Sequence, residues 1–282
     1  MKLSVALRLG RVSNLPTVTS NVLAAVALAG GAPSTLRIAV TCVAMSLMYV
    51  AGMFLNDAFD REIDARERPE RPIPSGEVRA ATVFDAGFAL LIAGIALTAI
   101  VALSSGAGWR PVLCAVALGA LIIFYDAHHK QNPLSPVVMG LCRVGVYATA
   151  AFVTTRDVDP ALAWGVVALL GYLIGLTYIA RQENLDRVGN LWPLAVMAVP
   201  FWIAFPRSWF AGAIYAGLLF ATRRALALLG RRKIRDAVSL LIAGISLLDA
   251  TLAANRGCWG LAIVALAAFG LTRLFQRVVP GT

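Results

Sequence analysis

Charge is scarce in this chain. Only 14% of its 282 residues are Asp, Glu, Lys or Arg, against 59% hydrophobic ones. A soluble domain could not cover its surface with so few charged groups, so that class is excluded. Paired cysteines are missing as well. Cys42, Cys114, Cys142 and Cys258 fall in or beside apolar runs with no CxxC spacing, which argues against both a disulfide framework and a zinc site. The formal charge of +10 gathers on no basic face, so nucleic acid is not an expected partner. The N-terminus has Lys2, Arg8 and Arg11 ahead of the first apolar run but no small-residue cleavage site, and reads as the lead into a retained span. Neither a solenoid repeat nor a low-complexity linker interrupts the chain, so residues 1–282 read as a single membrane-embedded domain.

Apolar runs fall at 15–30, 36–55, 82–104, 110–125, 136–153, 161–180, 191–205, 209–222, 237–254 and 258–275. The 209–222 run is the weakest and is closed by Arg223 and Arg224. With a mean hydropathy of +0.77, these runs predict an all-α polytopic transmembrane bundle of nine or ten spans. Starting inside and alternating across ten spans leaves 19 of the 25 Lys and Arg residues on the inner side and five on the outer, with Arg143 within a span. That bias predicts an integral protein of the cell's inner or plasma membrane, with a cytoplasmic N-terminus. The polar stretches that follow the second, fourth and sixth runs then share the cytoplasmic side.

One long polar run stands out, Asn56 to Glu77, reading NDAFDREIDARERPERPIPSGE. Asn56, Asp57, Asp60 and Asp64 keep a helical repeat, so one helix face would gather three carboxylates and an amide. Like charges so close repel unless a cation lies between them, and Mg2+ is commonly held by one or two carboxylates plus substrate phosphates. Arg66, Arg68 and Arg71 follow, then a breaker-rich loop with Pro72, Pro74 and Gly76. Guanidinium forks suit phosphate oxygens. Carboxylates for a metal beside arginines for an anion point to a metal–diphosphate site.

The pattern Asn56-Asp57-x-x-Asp60-x-x-x-Asp64 followed by Arg71-Pro-x-Pro-Ser-Gly76 resembles the first aspartate-rich motif of the UbiA superfamily of intramembrane prenyltransferases. The resemblance implies a helical membrane fold around a central cavity. It also implies Mg2+ on the aspartates, holding an isoprenoid diphosphate whose allylic carbon passes to a lipophilic, aromatic or other small acceptor. Tyr125-Asp126-Ala127-His128-His129-Lys130, followed by Asn132-Pro133-Leu134-Ser135-Pro136, is similar to the family stretch in which a tyrosine precedes a lysine and a helix-starting proline. Tyr125 and Lys130 are thereby candidate catalytic residues beside Asp57 and Asp60, with Lys130 facing the diphosphate or anchoring the interface. His128 and His129 are neighbours that point apart on a helix, which favours an interfacial role over metal ligation.

Tyr178 to Asp186 stands where the family carries a second aspartate-rich motif, but offers Gln182, Glu183 and Asn184, with Asp186 as the one aspartate. Glu183 and Asp186 are therefore candidate metal ligands of an altered site, and Arg181 a candidate diphosphate ligand with Arg66, Arg71, Lys130 and Arg143. Arg143 sits two turns into its span, where an ionisable residue marks a partner or pathway. It could hold the diphosphate, pair with an acid or bind helix carbonyls. Asn14 and Asn21 are seven apart on the first span, and either line an acceptor pocket or join helices by hydrogen bonds. Asp249 is a further intramembrane acid without an assigned role. YDAHHK, Gly140-Leu141-Cys142-Arg143 and YIARQEN together resemble the EboC-like branch of secondary-metabolite gene clusters. The rival readings are an altered homologue that binds or carries a prenyl lipid or precursor without turnover, and a cation-coupled transporter. The transporter is disfavoured, because its sites lie near the midplane on broken helices.

Overall fold

The protein is described by a computed structural model covering all residues except Gln131, Val158, 182–194, Pro280 and Thr282, and excluding the Arg181 side chain. Among the described residues all regular structure is helical. The order is α1 (Leu3–Leu9), a 3-10 turn (Val12–Asn14), α2 (Leu15–Ala29), α3 (Thr35–Phe59), α4 (Arg61–Glu67), α5 (Ala80–Ser105) and α6 (Arg110–His128). Then come α7 (Ser135–Thr154), α8 (Pro160–Arg181), α9 (Val199–Ile203), α10 (Trp209–Gly230), α11 (Ile234–Asn255) and α12 (Trp259–Phe275). Among the described residues eight helices are long and apolar enough to cross a membrane, and α12 is an apolar helix of 17 residues.

Local sequence sets many of the helix ends. Proline stands in the first turn of α2, α6 and α7, where its missing N–H would have had no helical partner. Ser34 and Ser208 cap α3 and α10 by accepting from the Arg37 and Ala211 amides, as N-cap hydroxyls do. The run expected to stop at Arg223–Arg224 instead continues to Gly230. Both arginines are exposed while Ala221, Thr222 and Ala225 on the same helix are buried, and arginine is a good helix former. The run at 191–205 also differs from expectation. In its described part Pro200 opens a helix of only five residues. The stretch lies antiparallel along α8, with Met197 against Gly175, and Val199 and Pro200 against Gly171.

The helices fall into a centre and a rim. The α11 span is 89% buried and the α2 span 78%, whereas those of α5, α6 and α10 are about one third buried. A helix apolar on all sides and buried on all sides belongs in a core, and the rim helices show Ile92, Ile100, Leu103 and Phe220 outward, as lipid contact requires. On the rim α5 lies very close to α3. A Cβ on Gly94 would meet the Met48 side chain at 2.5 Å and the Ala44 carbonyl at 2.9 Å, so this crossing needs glycine. The polar groups sort to two ends. Arg256–Asp159, Arg110 with the Arg156 carbonyl, and the Arg207 amide with Asn255 occupy one. Arg8–Glu77, Arg11–Asp57, Lys130–Asp60 and Gln276–Asn14 occupy the other.

Candidate functional site

The acidic stretch does not form one helix. α3 stops at Phe59, and Asp60 joins it to the short α4, its N–H still donating to the Asn56 carbonyl at 2.9 Å. The single continuous helix expected from the spacing is broken at Asp60, yet Asp57 and Asp64 still meet on one Arg71 nitrogen while Asn56 and Asp60 turn to α6 and the residues after it. Asp57 Oδ1 accepts from Arg11 Nη2 at 3.0 Å and Arg71 Nη1 at 3.3 Å, and the same Arg71 nitrogen donates to Asp64 Oδ2 at 2.6 Å. Asp60 Oδ2 turns to His129 Nε2 at 3.3 Å and Lys130 Nζ at 3.5 Å. The Asn56 amide donates to Asp126 Oδ1 at 3.2 Å. All four residues of the motif are buried.

Burial works to raise the Asp60 carboxyl, but the hydrogen bond and charge of His129, with Lys130 beside it, hold it below its ordinary value. Asp64 shows the reverse. Burial pushes its carboxyl up against the pull of Arg71, and the charges of Asp60 and Asp57 add to the rise. The local chain has been bent to make these pairs. Arg11 has φ +41, a left-handed conformation costing an L-residue about 1–2 kcal/mol, and it joins α1 to the turn before α2 while reaching Asp57.

Beneath the acidic end lies a cavity of about 310 Å3. Arg11, Arg68, Arg71, Tyr125 and Asp126 stand at its polar mouth, and Asn14, Tyr49 and Arg143 also line it. Its apolar wall includes Met45, Met48, Met53 and Met139, four of the six methionines in the chain. Thioether side chains are unbranched and adaptable, which suits an irregular apolar ligand. A second, more polar hollow of about 490 Å3 adjoins it, lined by Arg8, Arg11, Asp57, Arg68, Arg71 and Arg235 among others.

Several sequence expectations meet here and others do not. Asp57, Asp60, Asp64, Asn56, Arg71, Lys130 and Tyr125 converge on the mouth. Arg66 does not reach it: the side chain is exposed on α4 and donates to the Glu62 carbonyl at 3.3 Å. Asn14 lines the cavity, donating to Tyr49 at 3.4 Å and to the Gly281 carbonyl at 2.9 Å. Asn21 is fully buried behind the wall, bonded to Arg143 and Asp249. Of the tyrosines, Tyr125 and Tyr49 face the cavity, whereas Tyr147 is fully buried against Asp249. Arg181 closes α8, and its side chain, Glu183 and Asp186 lie outside the described residues.

Three residues at the mouth have no place in the site as read from the sequence, although that reading weighs His129 and assigns it to the interface. Arg11 is one, and its pairing with Asp57 spans 46 positions. His129 is another, stacked on Tyr125 at 4.9 Å. The i, i+4 spacing of those two rings was a usable signal. Asp126 is the third. It is 4% exposed, lines the cavity, and its Oδ2 has no hydrogen-bond partner.

That orphan oxygen bears on whether a divalent cation fits. Among the described residues no three His, Cys, Asp or Glu side chains stand close enough to hold a metal by themselves. Mg2+ does not need such a cage, since substrate phosphates and water complete its shell. A buried carboxylate oxygen without a donor, beside Asp57 and Asp60, is the hard-oxygen environment such an ion takes.

A family model described as the UbiA prenyltransferase family matches residues 18–280. Chlorophyll synthase of Oryza sativa subsp. japonica is 29% identical over 207 residues, covering 68% of this chain and 55% of that enzyme, so the match spans about half its length. Digeranylgeranylglyceryl phosphate synthase of Thermococcus kodakarensis is 26% identical over 195 residues, covering 69% of this chain and 67% of that one. Among solved structures, the apo UbiA homologue of Aeropyrum pernix K1 superposes with a TM-score of 0.67 at 17% identity over 83% of this chain and 96% of its own. A structure described as that of a digeranylgeranylglyceryl phosphate synthase in membranes gives 0.60 at 16% identity over 94% and 99%.

Proposed function

Because the chain belongs to the UbiA prenyltransferase family, we propose that it is a membrane prenyltransferase that moves an isoprenoid group from an allylic diphosphate to a lipophilic acceptor with the help of Mg2+. One observation carries the reading: paired carboxylates and arginines stand at the mouth of an apolar, methionine-walled cavity. Arg11, Arg71 and Lys130 present guanidinium and ammonium donors to the diphosphate. Asp57, Asp64 and Asp60 pair with those cations, so diphosphate binding exchanges one set of anionic partners for another. Asp57, Asp60 and Asp126, with the Asn56 amide, would hold the Mg2+, and when bound the ion supplies charge neutralisation for the departing diphosphate.

The isoprenoid chain lies along the methionine wall, away from water. As the allylic C–O bond breaks, its electron pair leaves with the diphosphate, where Arg71 and Lys130 stabilise the negative charge. The face of Tyr125 lies beside the allylic cation. The acceptor then forms the new bond to that carbon and loses a proton. The reading also places the acidic end on the cytoplasmic side, following the basic-residue bias, and keeps the EboC-like branch on the residues that resemble it.

Isothermal titration of the detergent-purified protein with dimethylallyl diphosphate, with and without Mg2+, tests the proposal. Mg2+-dependent binding lost in Asp57→Ala and Asp60→Ala is expected, and absence of binding across a range of chain lengths would sink it. Gln182 and Asn184, standing where the family has aspartates, favour a second reading in which the prenyl lipid is bound or carried without transfer. That reading expects the same binding with the diphosphate recovered intact after incubation with candidate acceptors.

A further inference from the structure

At the end of the bundle away from the acidic mouth lies a separate hollow of about 420 Å3, where α2, α8, α9 and α11 meet. Leu28 of α2 and Leu252 of α11 are buried and form its apolar floor. Trp164 of α8 and Trp202 of α9, 62% and 87% exposed, stand at its rim. Its charged lining groups are two arginines, Arg207 and Arg256. Asp159 pairs with Arg256. Among the described residues no carboxylate pairs with Arg207, so the hollow keeps one uncompensated positive charge.

The backbone that carries this cation is fixed. The Arg207 N–H donates to Asn255 Oδ1 at 2.9 Å, and the Asn255 amide donates to the Phe205 carbonyl at 3.1 Å and the Ala204 carbonyl at 3.3 Å. One side chain at the end of α11 thus staples the loop between α9 and α10. The tryptophans mark the level at which the hollow opens. Trp109, Trp209 and Trp259 stand at the starts of α6, α10 and α12, Trp164 one turn into α8 and Trp202 near the end of α9. All five are exposed and all lie toward this end. Indole rings gather where hydrocarbon meets head groups, because the ring is apolar and its N–H is not. The hollow therefore opens at the depth of lipid phosphates.

We propose that this hollow docks one phospholipid of the leaflet at this end, with an anionic phosphodiester head group. The phosphate oxygens take the guanidinium fork of Arg207, and an acyl chain runs against Leu28 and Leu252. A soluble anion would use the arginine but not the indole rim or the apolar floor, whereas a phospholipid uses all three. A head group of net charge −1 balances the surplus cation. A choline head group brings a second cation beside Arg207 and Arg256 and is disfavoured. The site stands apart from the chemistry at the mouth and does not depend on the prenyl-transfer reading.

A phosphatidylglycerol carrying a diazirine in the upper part of one acyl chain, photolysed with the full-length protein in detergent, tests the assignment. Mass spectrometry is expected to find the label on peptides containing Trp164, Trp202 or Leu252. Unlabelled phosphatidylglycerol should suppress that labelling at a concentration about tenfold lower than phosphatidylcholine, and glycerol 3-phosphate should not suppress it. Arg207→Gln raises the phosphatidylglycerol concentration needed by about tenfold, the worth of one charge-assisted partner, and Arg207→Lys raises it less. Both variants, on an exposed loop, should unfold at the wild-type temperature and keep wild-type affinity for dimethylallyl diphosphate. Labelling confined to other surfaces, equal competition by the two lipids, or unchanged competition in Arg207→Gln overturns the assignment. Suppression by glycerol 3-phosphate makes the hollow a site for free phosphate esters and overturns the lipid. A protein that takes the lipid here through Arg207 but binds no dimethylallyl diphosphate keeps this site and loses the prenyl-transfer reading.

Discussion

The cavity's two ends hold charge in different ways. At the mouth, Asp57, Asp60 and Asp64 touch their cations directly, and Arg71 serves two carboxylates with one nitrogen. Farther in, Arg143 and Asp249 are kept apart by an amide. The mouth partners are arginines, a histidine and a half-exposed lysine from loops and helix ends, which can change partners when a charged ligand arrives. The inner partners sit on packed spans with their donors fixed by burial. Direct pairs favour exchange, and relayed pairs favour a fixed orientation. Polar groups in the interior should therefore matter first to folding, and those at the mouth first to binding.

The largest test of this difference is Asp249→Ala. It strips the acceptor from Ser20, Asn21 and Tyr147 and leaves Arg143 without its relayed counter-charge. A loss of about 3–5 kcal/mol is expected, as for breaking a buried pair, read by denaturant unfolding in detergent. Asp57→Asn is next, and acts on binding. Removing one charge from the mouth should weaken Mg2+-dependent diphosphate binding by roughly 10- to 100-fold, the equivalent of ~1.5–3 kcal/mol, measured by titration. Tyr147→Phe takes one donor from Asp249 and should cost about 1–2 kcal/mol of stability with diphosphate affinity unchanged. Lys130→Met has the smallest expected effect on folding, under about 1 kcal/mol, because that pair is half exposed. If Asp57→Asn and Asp249→Ala lower stability equally and binding equally, the contrast between the two ends is wrong.

Asp60 adds a pH dependence to the mouth. Its carboxyl is held below its ordinary value by His129 and Lys130, so the pairing contributes fully above the ordinary carboxylate range near pH 4 and is lost as pH falls through the depressed value. Asp60→Asn should flatten the acid limb of a stability–pH profile, and an unchanged limb would show that the pairing contributes nothing.

The sequence made the mouth visible because its residues are neighbours. Asn56 through Arg71 carry their own spacing and the proline-rich stop that follows, and apolar run length marks most of the spans. The interior network was illegible for the opposite reason. Asn21 and Asp249 are separated by 228 positions, so each reads alone as an isolated polar group in a span. Arg143 stood out as a charge inside the membrane, but nothing local says that it faces inward to Asn21 and Thr17. The break at Asp60 was also hidden, since a residue that ends one helix and starts another keeps nearly the periodicity of a single one. The stop expected at Arg223 failed because two exposed arginines on one helix face do not end a helix.

The methionine wall has a cost of its own. Met45 and Met48 are fully buried, and with Met53 and Met139 they give the cavity its compliance. Thioethers are also readily oxidised, and a sulfoxide is polar where the wall is apolar. One added oxygen on Met48 would place an unsatisfied acceptor in the hydrocarbon lining and narrow the space beside Gly94. The compliance of this wall therefore depends on its sulfurs staying reduced.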